Sequence, residues 1–171
     1  MMEEEKVIQL LRHYRHNLMN HLQIIHGYAS MGKTDKVMQK LNHFMAYLEE
    51  ERKLVNLHVP AFALYLLQFE SLHTNFRLTY HIDSENNDLQ PVDELLVKRC
   101  DQMMEKIEML TDEMALYELN VRLYDLSFKE IQLEFTVKDC LQEIQSKNEN
   151  QEIAIYKEGN DLKCTVSVIC E

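Results

Sequence analysis

Apolar residues recur at helical spacing over the first thirty residues, and this pattern constrains the fold more than any other feature of the chain. Successive members are three or four residues apart, which places them on one stripe of an α-helix. The members of the stripe are Val7, Leu11, Tyr14, Leu18, Leu22, Ile25 and Ala29. We therefore predict an amphipathic helix from about residue 3 to residue 29, with one face directed toward a core.

The opposite face of this predicted helix carries an imidazole. His16 lies two residues from both Tyr14 and Leu18, so a rotation of about 100° per residue turns it away from the stripe. Asn20 follows one turn later on the same face. An exposed imidazole with a pKa of about 6.5 is largely neutral at pH 7 and can attack phosphorus to form a phosphoramidate. The alternative is an ordinary solvated histidine, because the His-x-x-x-Asn spacing is common.

A second amphipathic helix is predicted from about residue 35 to residue 55, after a turn over residues 30–35. Its apolar stripe comprises Val37, Leu41, Phe44, Leu48 and Val55, widened by Met38, Met45 and Leu54. Two helices alone cannot bury stripes of this width, so we predict that the hairpin pairs with a second copy to form a four-helix bundle. The alternative is a monomer in which the rest of the chain covers the hairpin.

The rest of the chain alternates between helical and strand patterns. The predicted elements are a helix over 61–73, a strand over 76–82, a helix over 91–110, strands over 119–123 and 131–137, a short helix from Asp139 to about Ser146, and a hairpin of strands over 153–157 and 162–169. This order indicates a mixed sheet with helices packed on it. The predicted fold class is α+β, with a helical domain over 1–57 and an α/β domain over 58–171.

The segment Arg15-His16-Asn17-Leu18-Met19-Asn20-His21-Leu22 resembles the phosphoacceptor helix of two-component histidine kinases. It is more similar to the sporulation initiation phosphotransferase B family, whose helix reads Arg-His-Asp-x-x-Asn-x-Leu followed by a Gly. The resemblance implies a dimeric four-helix bundle followed by a small degenerate histidine-kinase-like α/β sandwich domain. It also implies that His16 is phosphorylated and carries phosphoryl groups between two response regulators in the control of sporulation.

One position departs from that family pattern. Asn17 stands where the acidic residue usually follows the histidine. In kinases this acid helps the histidine to attack ATP, whereas an aspartyl phosphate is already an activated donor. The substitution therefore weakens an autokinase interpretation more than a transfer interpretation.

Further candidate residues surround His16 on the helix. We predict that Asn20 orients the imidazole. The predicted partner-binding residues are Arg12, His13, Arg15, Asn17, Met19, Gln23, Ile24 and Gly27. Arg12 and Arg15 are candidates for steadying phosphoryl oxygens, or else ordinary solvated charges. Gly27 either gives room for a partner backbone or is a tolerated neutral residue.

Glycine content argues against nucleotide binding by this chain. Histidine kinases bind ATP through glycine-rich boxes, and no glycine occurs between Gly32 and Gly159.

The histidines of the first helix include no pair four residues apart, so we expect no metal site there. We expect no cofactor in this chain and Mg²⁺ supplied by the response regulator.

Composition limits the remaining functional classes. The net charge of −11 argues against nucleic-acid binding. The chain has no apolar run of about 18 residues and begins with acidic residues rather than a basic signal-peptide region, so we expect a cytoplasmic protein without membrane contact.

The leading interpretation is a phosphotransferase. The rival is a catalytically silent dimeric module that binds and sequesters a response regulator, and a soluble autokinase is disfavoured.

Overall fold

A computed structural model of the chain describes residues 2–86, 88–141, 144 and 152–170. The chain divides into two compact units, over residues 1–52 and 53–171. The predicted domain boundary after residue 57 stays a prediction. No helix within the described ranges is long and apolar enough to span a membrane.

The first unit is an antiparallel helical hairpin. Helix α1 spans Met2–Ser30 and helix α2 spans Thr34–Asn56, the last turn of which enters the second unit. Gly32 adopts a φ of +66° in the connection, where the N–H of Lys33 donates to the carbonyl of Tyr28 at 3.0 Å. A residue in the left-handed region is typical of a helix C-terminus, and glycine adopts it without a steric penalty. The two predicted helices are therefore present, and the predicted turn between them contains Gly32.

The second unit has the predicted α+β order, apart from the short helix predicted at Asp139. Its elements are α3 Pro60–Leu72, β1 Phe76–Asp83, a 3₁₀ turn Gln90–Val92, α4 Asp93–Glu108, β2 Tyr117–Ser127, β3 Glu130–Val137, β4 Ile153–Glu158 and β5 Asp161–Ile169. The sheet order is β1-β2-β3-β5-β4, with β1 and β2 parallel and the other pairs antiparallel. Strand β2 is longer than predicted because it pairs along its length with both β1 and β3.

The short helix predicted from Asp139 is wrong at its start. Residues 139–141 are not helical, and Asp139 has a φ of +48°. Its N–H donates to Oδ1 of Asp161 at 3.1 Å, so this residue forms a turn beside the β4–β5 hairpin. All the later residues of the predicted helix except 144 lie outside the described residues.

The core of the second unit lies between the sheet and helices α3 and α4. Its largest fully buried side chains include Phe62, Phe69, Leu96, Met103, Ile107, Leu119, Leu123 and Phe135. The buried carboxylate of Asp93, at the start of α4, accepts hydrogen bonds from the backbone N–H groups of Ala61 at 2.9 Å and Phe62 at 2.8 Å. Because Val59 provides no side-chain cap for α3, Asp93 satisfies this helix N-terminus from 31 residues away.

Candidate functional site

His16 and Asn20 lie together on the exposed face of α1. The Nδ2 atom of Asn20 lies 3.4 Å from Nδ1 of His16, as the four-residue spacing on a helix allows. An amide offers an N–H group on one side and an oxygen on the other. The amide N–H is the group that faces Nδ1 here, and a half-turn of the amide would instead bring its oxygen to accept from Nδ1–H and leave the Nε2 lone pair free. In that second orientation the pair presents a nucleophilic ring nitrogen on the exposed face of α1.

A second imidazole–amide pair lies three residues earlier on the same helix. Nδ2 of Asn17 lies 3.3 Å from Nε2 of His13, and both side chains are half-buried. Asn17 thus contacts His13, and the pairing of His16 is with Asn20. The four-residue spacing of His13 and Asn17 is the signal of this contact in the sequence.

The other predicted partner-binding residues have different degrees of exposure. Arg12, Arg15 and Gln23 are exposed, as are the apolar side chains of Met19 and Ile24. Gly27 is half-buried, and a Cβ atom placed on it would meet no other atom within 4 Å. Packing within this chain therefore does not require a glycine at this position.

His21 has a different role from His16, although both lie on α1. Its ring stacks on Phe44 with centroids 4.9 Å apart and lies 5.6 Å from the ring of Tyr47. Burial lowers the pKa of His21, and the nearby His43 and Lys40 lower it further. His21 is therefore a neutral packing residue at pH 7.

Tyr14 joins the two helices nearer their other end. Its hydroxyl donates to Oε1 of Glu51 at 2.8 Å. Burial and this hydrogen bond to a carboxylate raise the pKa of Tyr14. Together with the His21–Phe44 stack, this contact defines the antiparallel register of the hairpin.

The predicted core stripe of α1 divides into two parts. Tyr14, Leu18 and Ile25 are half-buried, whereas Val7, Leu11 and Leu22 remain exposed over 53%, 56% and 43% of their surface. On α2, Met38 and Met45 are exposed over 51% and 60%. The apolar flank of the hairpin, defined here by the exposed residues Val7, Leu11, Leu22, Met38 and Met45, is thus not covered in the single chain.

Metal ligands do not gather near these residues. In the part of the chain that the structure describes, no group of three or more His, Cys, Asp or Glu side chains is arranged to hold a metal ion.

Comparisons with known proteins agree with the helical part of the fold. Residues 1–57 match the family model described as the α-helical domain of SpoOB-type sensor kinases. Sporulation initiation phosphotransferase B of Bacillus subtilis (strain 168) is 34% identical over 108 residues, covering 63% of this chain and 54% of that protein. The chain thus matches about half the length of this relative.

The solved catalytic domain of histidine kinase ThkA, in a nucleotide-free form, is similar with a TM-score of 0.41 and 10% identity. That match covers 71% of this chain and 90% of the ThkA chain, and it is too weak to add to the topology described above. The family resemblance of the His16 helix is confirmed over residues 1–57, which match the α-helical domain of the SpoOB-type family.

Proposed function

We propose that this chain is a phosphorelay phosphotransferase, which moves a phosphoryl group from an aspartate of one response regulator through His16 to a second response regulator. The observation that carries the proposal is the exposed His16 imidazole with the Asn20 amide beside its Nδ1 atom. The match of residues 1–57 to the SpoOB-type α-helical domain supports the proposal. The name of the Bacillus subtilis relative, a phosphotransferase of sporulation initiation, also supports it. The cellular process that we propose is accordingly the control of sporulation, in the cytoplasm.

The proposed reaction needs one nucleophile from this chain. The Nε2 lone pair of His16 attacks the phosphorus of the aspartyl phosphate, so a P–N bond forms while the P–O bond to the aspartate breaks and the carboxylate leaves. The proton stays on Nδ1, where the Asn20 amide, once turned so that its oxygen faces the ring, accepts it in a hydrogen bond and favours the imidazolium that develops. The second transfer is the reverse reaction with the aspartate of the other regulator.

The regulator supplies the remaining chemistry in this proposal. A Mg²⁺ ion and a lysine of the receiver domain neutralise the charge on the transferring phosphoryl group. Because the acyl phosphate is an activated donor, the reaction requires neither ATP nor an acidic residue at position 17. We accordingly propose that the chain acts without a bound nucleotide or metal.

We also propose that the protein works as a homodimer through the apolar flank. Exposed apolar surface of this extent on one side of a two-helix hairpin is typical of an interface. Leu11 and Leu22 lie roughly 120–140° around α1 from His16. Pairing through the apolar flank would therefore leave both His16 side chains accessible to partners.

A second candidate is the silent module that binds and sequesters a regulator. Asn17 favours it, because this uncharged residue contacts His13 and replaces the acid that follows the phosphoacceptor in kinases. The two candidates differ in whether His16 ever carries a phosphoryl group.

The test is to incubate the purified chain with a response regulator carrying a ³²P-labelled aspartyl phosphate. We expect acid-labile, base-stable label on the chain, and its loss in His16→Ala. His26→Ala is the control, since His26 is an exposed histidine of the same helix that is not among the predicted partner-binding residues. Regulator binding without any label on the chain would favour the silent module instead.

A further inference from the structure

The charges of the hairpin are distributed unlike those of the chain as a whole. Between Lys6 and Leu48 the sequence holds six Lys or Arg residues and a single acid, Asp35, within a protein of net charge −11. The acids of the hairpin lie beyond this segment, in residues 3–5 and 49–51. The half of the hairpin near the turn therefore carries three lysines and one acid, whereas the acids at 49–51 lie level with residues 14–16 of α1.

Within the part of the chain that the structure describes, the cations of this segment have no carboxylate partners. Among the described residues, Arg12, Arg15, Lys33, Lys36 and Lys40 form no ion pair, and Lys36 contacts only the amide of Gln39, at 3.4 Å.

Ion pairing in the second unit is mixed, since among the described residues Lys98 and Lys129 form no ion pair and four other cations do. Arg99, Arg122, Lys138 and Lys163 each pair with an Asp or Glu at 2.5–2.6 Å. Cations left unpaired in an acidic protein are available for an acidic partner.

Two lysines and a histidine lie along one side of α2. Lys36, Lys40 and His43 are separated by four and three residues, which places them on one helical face. That face lies roughly 160° around α2 from Met38 and Met45. Since these methionines belong to the apolar flank, Lys36, Lys40 and His43 lie on the other flank, which is also the side of His16. The influence of Lys40 and His43 on the pKa of His21 agrees with their position beside α1.

The distance along the hairpin is compatible with one partner covering both regions. His21 lies opposite Phe44 and Tyr14 opposite Glu51, so Lys40 lies opposite a residue near position 25 of α1. Nine residues of helix separate that level from His16, a distance of about 13 Å. A small globular domain is about 30 Å across and can contact both.

We infer that Lys33, Lys36, Lys40 and His43, here called the basic edge, are a docking surface for the acidic receiver domain that exchanges a phosphoryl group with His16. This inference rests on the proposed function. Charge complementarity carries it, because a receiver that binds Mg²⁺ beside its phosphorylated aspartate presents carboxylates around that site. The receiver accordingly extends from the level of His16, which is also that of Glu49, toward the turn end of the hairpin.

The basic edge acts on the rate of encounter and on partner choice more than on the chemical step. Complementary charges accelerate association, and salt screens that acceleration. Removal of the basic edge should therefore slow transfer from a regulator at low ionic strength and leave the intrinsic reactivity of His16 unchanged.

The experiment compares Lys36→Glu/Lys40→Glu with Lys98→Glu/Lys129→Glu, which makes the same change in net charge at exposed lysines of the second unit. The probe is a phosphorylated, ³²P-labelled receiver domain of a response regulator from the same genome. At 50 mM NaCl we expect label transfer at subsaturating receiver to be about tenfold slower in the first variant and less than twofold slower in the second. At 500 mM NaCl the first variant should approach the wild type.

A small phosphodonor separates docking from chemistry. Labelling of His16 by phosphoramidate needs no protein partner, so its rate should be the same in the wild type and in Lys36→Glu/Lys40→Glu. Equal slowing in both double variants, or slowing that is independent of salt, would overturn the inference while the proposed function stands. A wild-type chain that takes no label from any receiver would overturn the proposed function and this inference with it.

Discussion

Leu11 offers the sharpest test of the proposed homodimer. This residue keeps 56% of its surface exposed on the apolar flank. Complete burial of a leucine contributes about 1.5–3 kcal/mol, so burial of the remaining half gives about 1–1.5 kcal/mol per copy and 2–3 kcal/mol for a two-fold interface. Leu11→Glu loses this contribution and also places two carboxylates in the interface. We expect the dimer to be weakened by about 3 kcal/mol or more, a rise of at least about 100-fold in Kd.

Sedimentation equilibrium over a range of protein concentrations measures this Kd. Ile24→Glu is the matched control, since Ile24 is an exposed apolar residue of similar exposure, 48%, on the His16 side of the same helix. We expect this variant to dimerise like the wild type. A Leu11→Glu protein that keeps the wild-type Kd, or an Ile24→Glu protein that dissociates to the same extent, would refute the assignment of the interface to the apolar flank.

Two further substitutions test local features of the fold. Asp93→Ala leaves the buried N–H group of Phe62 and the half-buried N–H group of Ala61 without their carboxylate, so urea unfolding should show a loss of about 3 kcal/mol in the free energy of unfolding. The exposed neighbour Glu94→Ala should change by less than about 0.5 kcal/mol, and equal effects would contradict the capping role. Gly27→Ala should raise the unfolding free energy by about 1 kcal/mol, because the added methyl group meets open space, and a lowered value would contradict this. If Gly27→Ala then slows label transfer from a regulator, the glycine serves the approach of a partner; an unchanged rate marks it as merely tolerated.

The elements of the fold were predictable wherever the apolar period was long and regular. Helix α1 and strand β3 were recognised because each presents one continuous apolar face. The start of the helix predicted at Asp139 was wrong because the polar contact that decides its conformation is with Asp161, 22 residues further along the chain. The capping of α3 by Asp93 could not be predicted for the same reason, since a cap supplied from 31 residues away has no local signal.

The candidate site was predictable in its orientation and less so in its surroundings. A helical rotation of about 100° per residue was enough to place His16 and Asn20 on the same exposed face. The division of the α1 stripe into half-buried and exposed parts depends on where α2 packs against α1. The apolar spacing within a single helix does not specify that position. The basic edge was missed on α2 because each of its residues is an ordinary surface residue on its own. It emerges only when the register of the two helices is combined with the absence of ion pairs at Lys36 and Lys40 within the described residues.

The most direct test of the central proposal is a complete relay with two response regulators. The first is supplied with a labelled aspartyl phosphate, the second is unphosphorylated, and the appearance of label on the second is measured with and without this chain. We expect the wild-type chain to transfer label to the second regulator through a labelled intermediate on His16, and His16→Ala to transfer none. Transfer by His16→Ala at the wild-type rate, or label on the second regulator without any on this chain, would contradict the proposal that His16 carries the phosphoryl group.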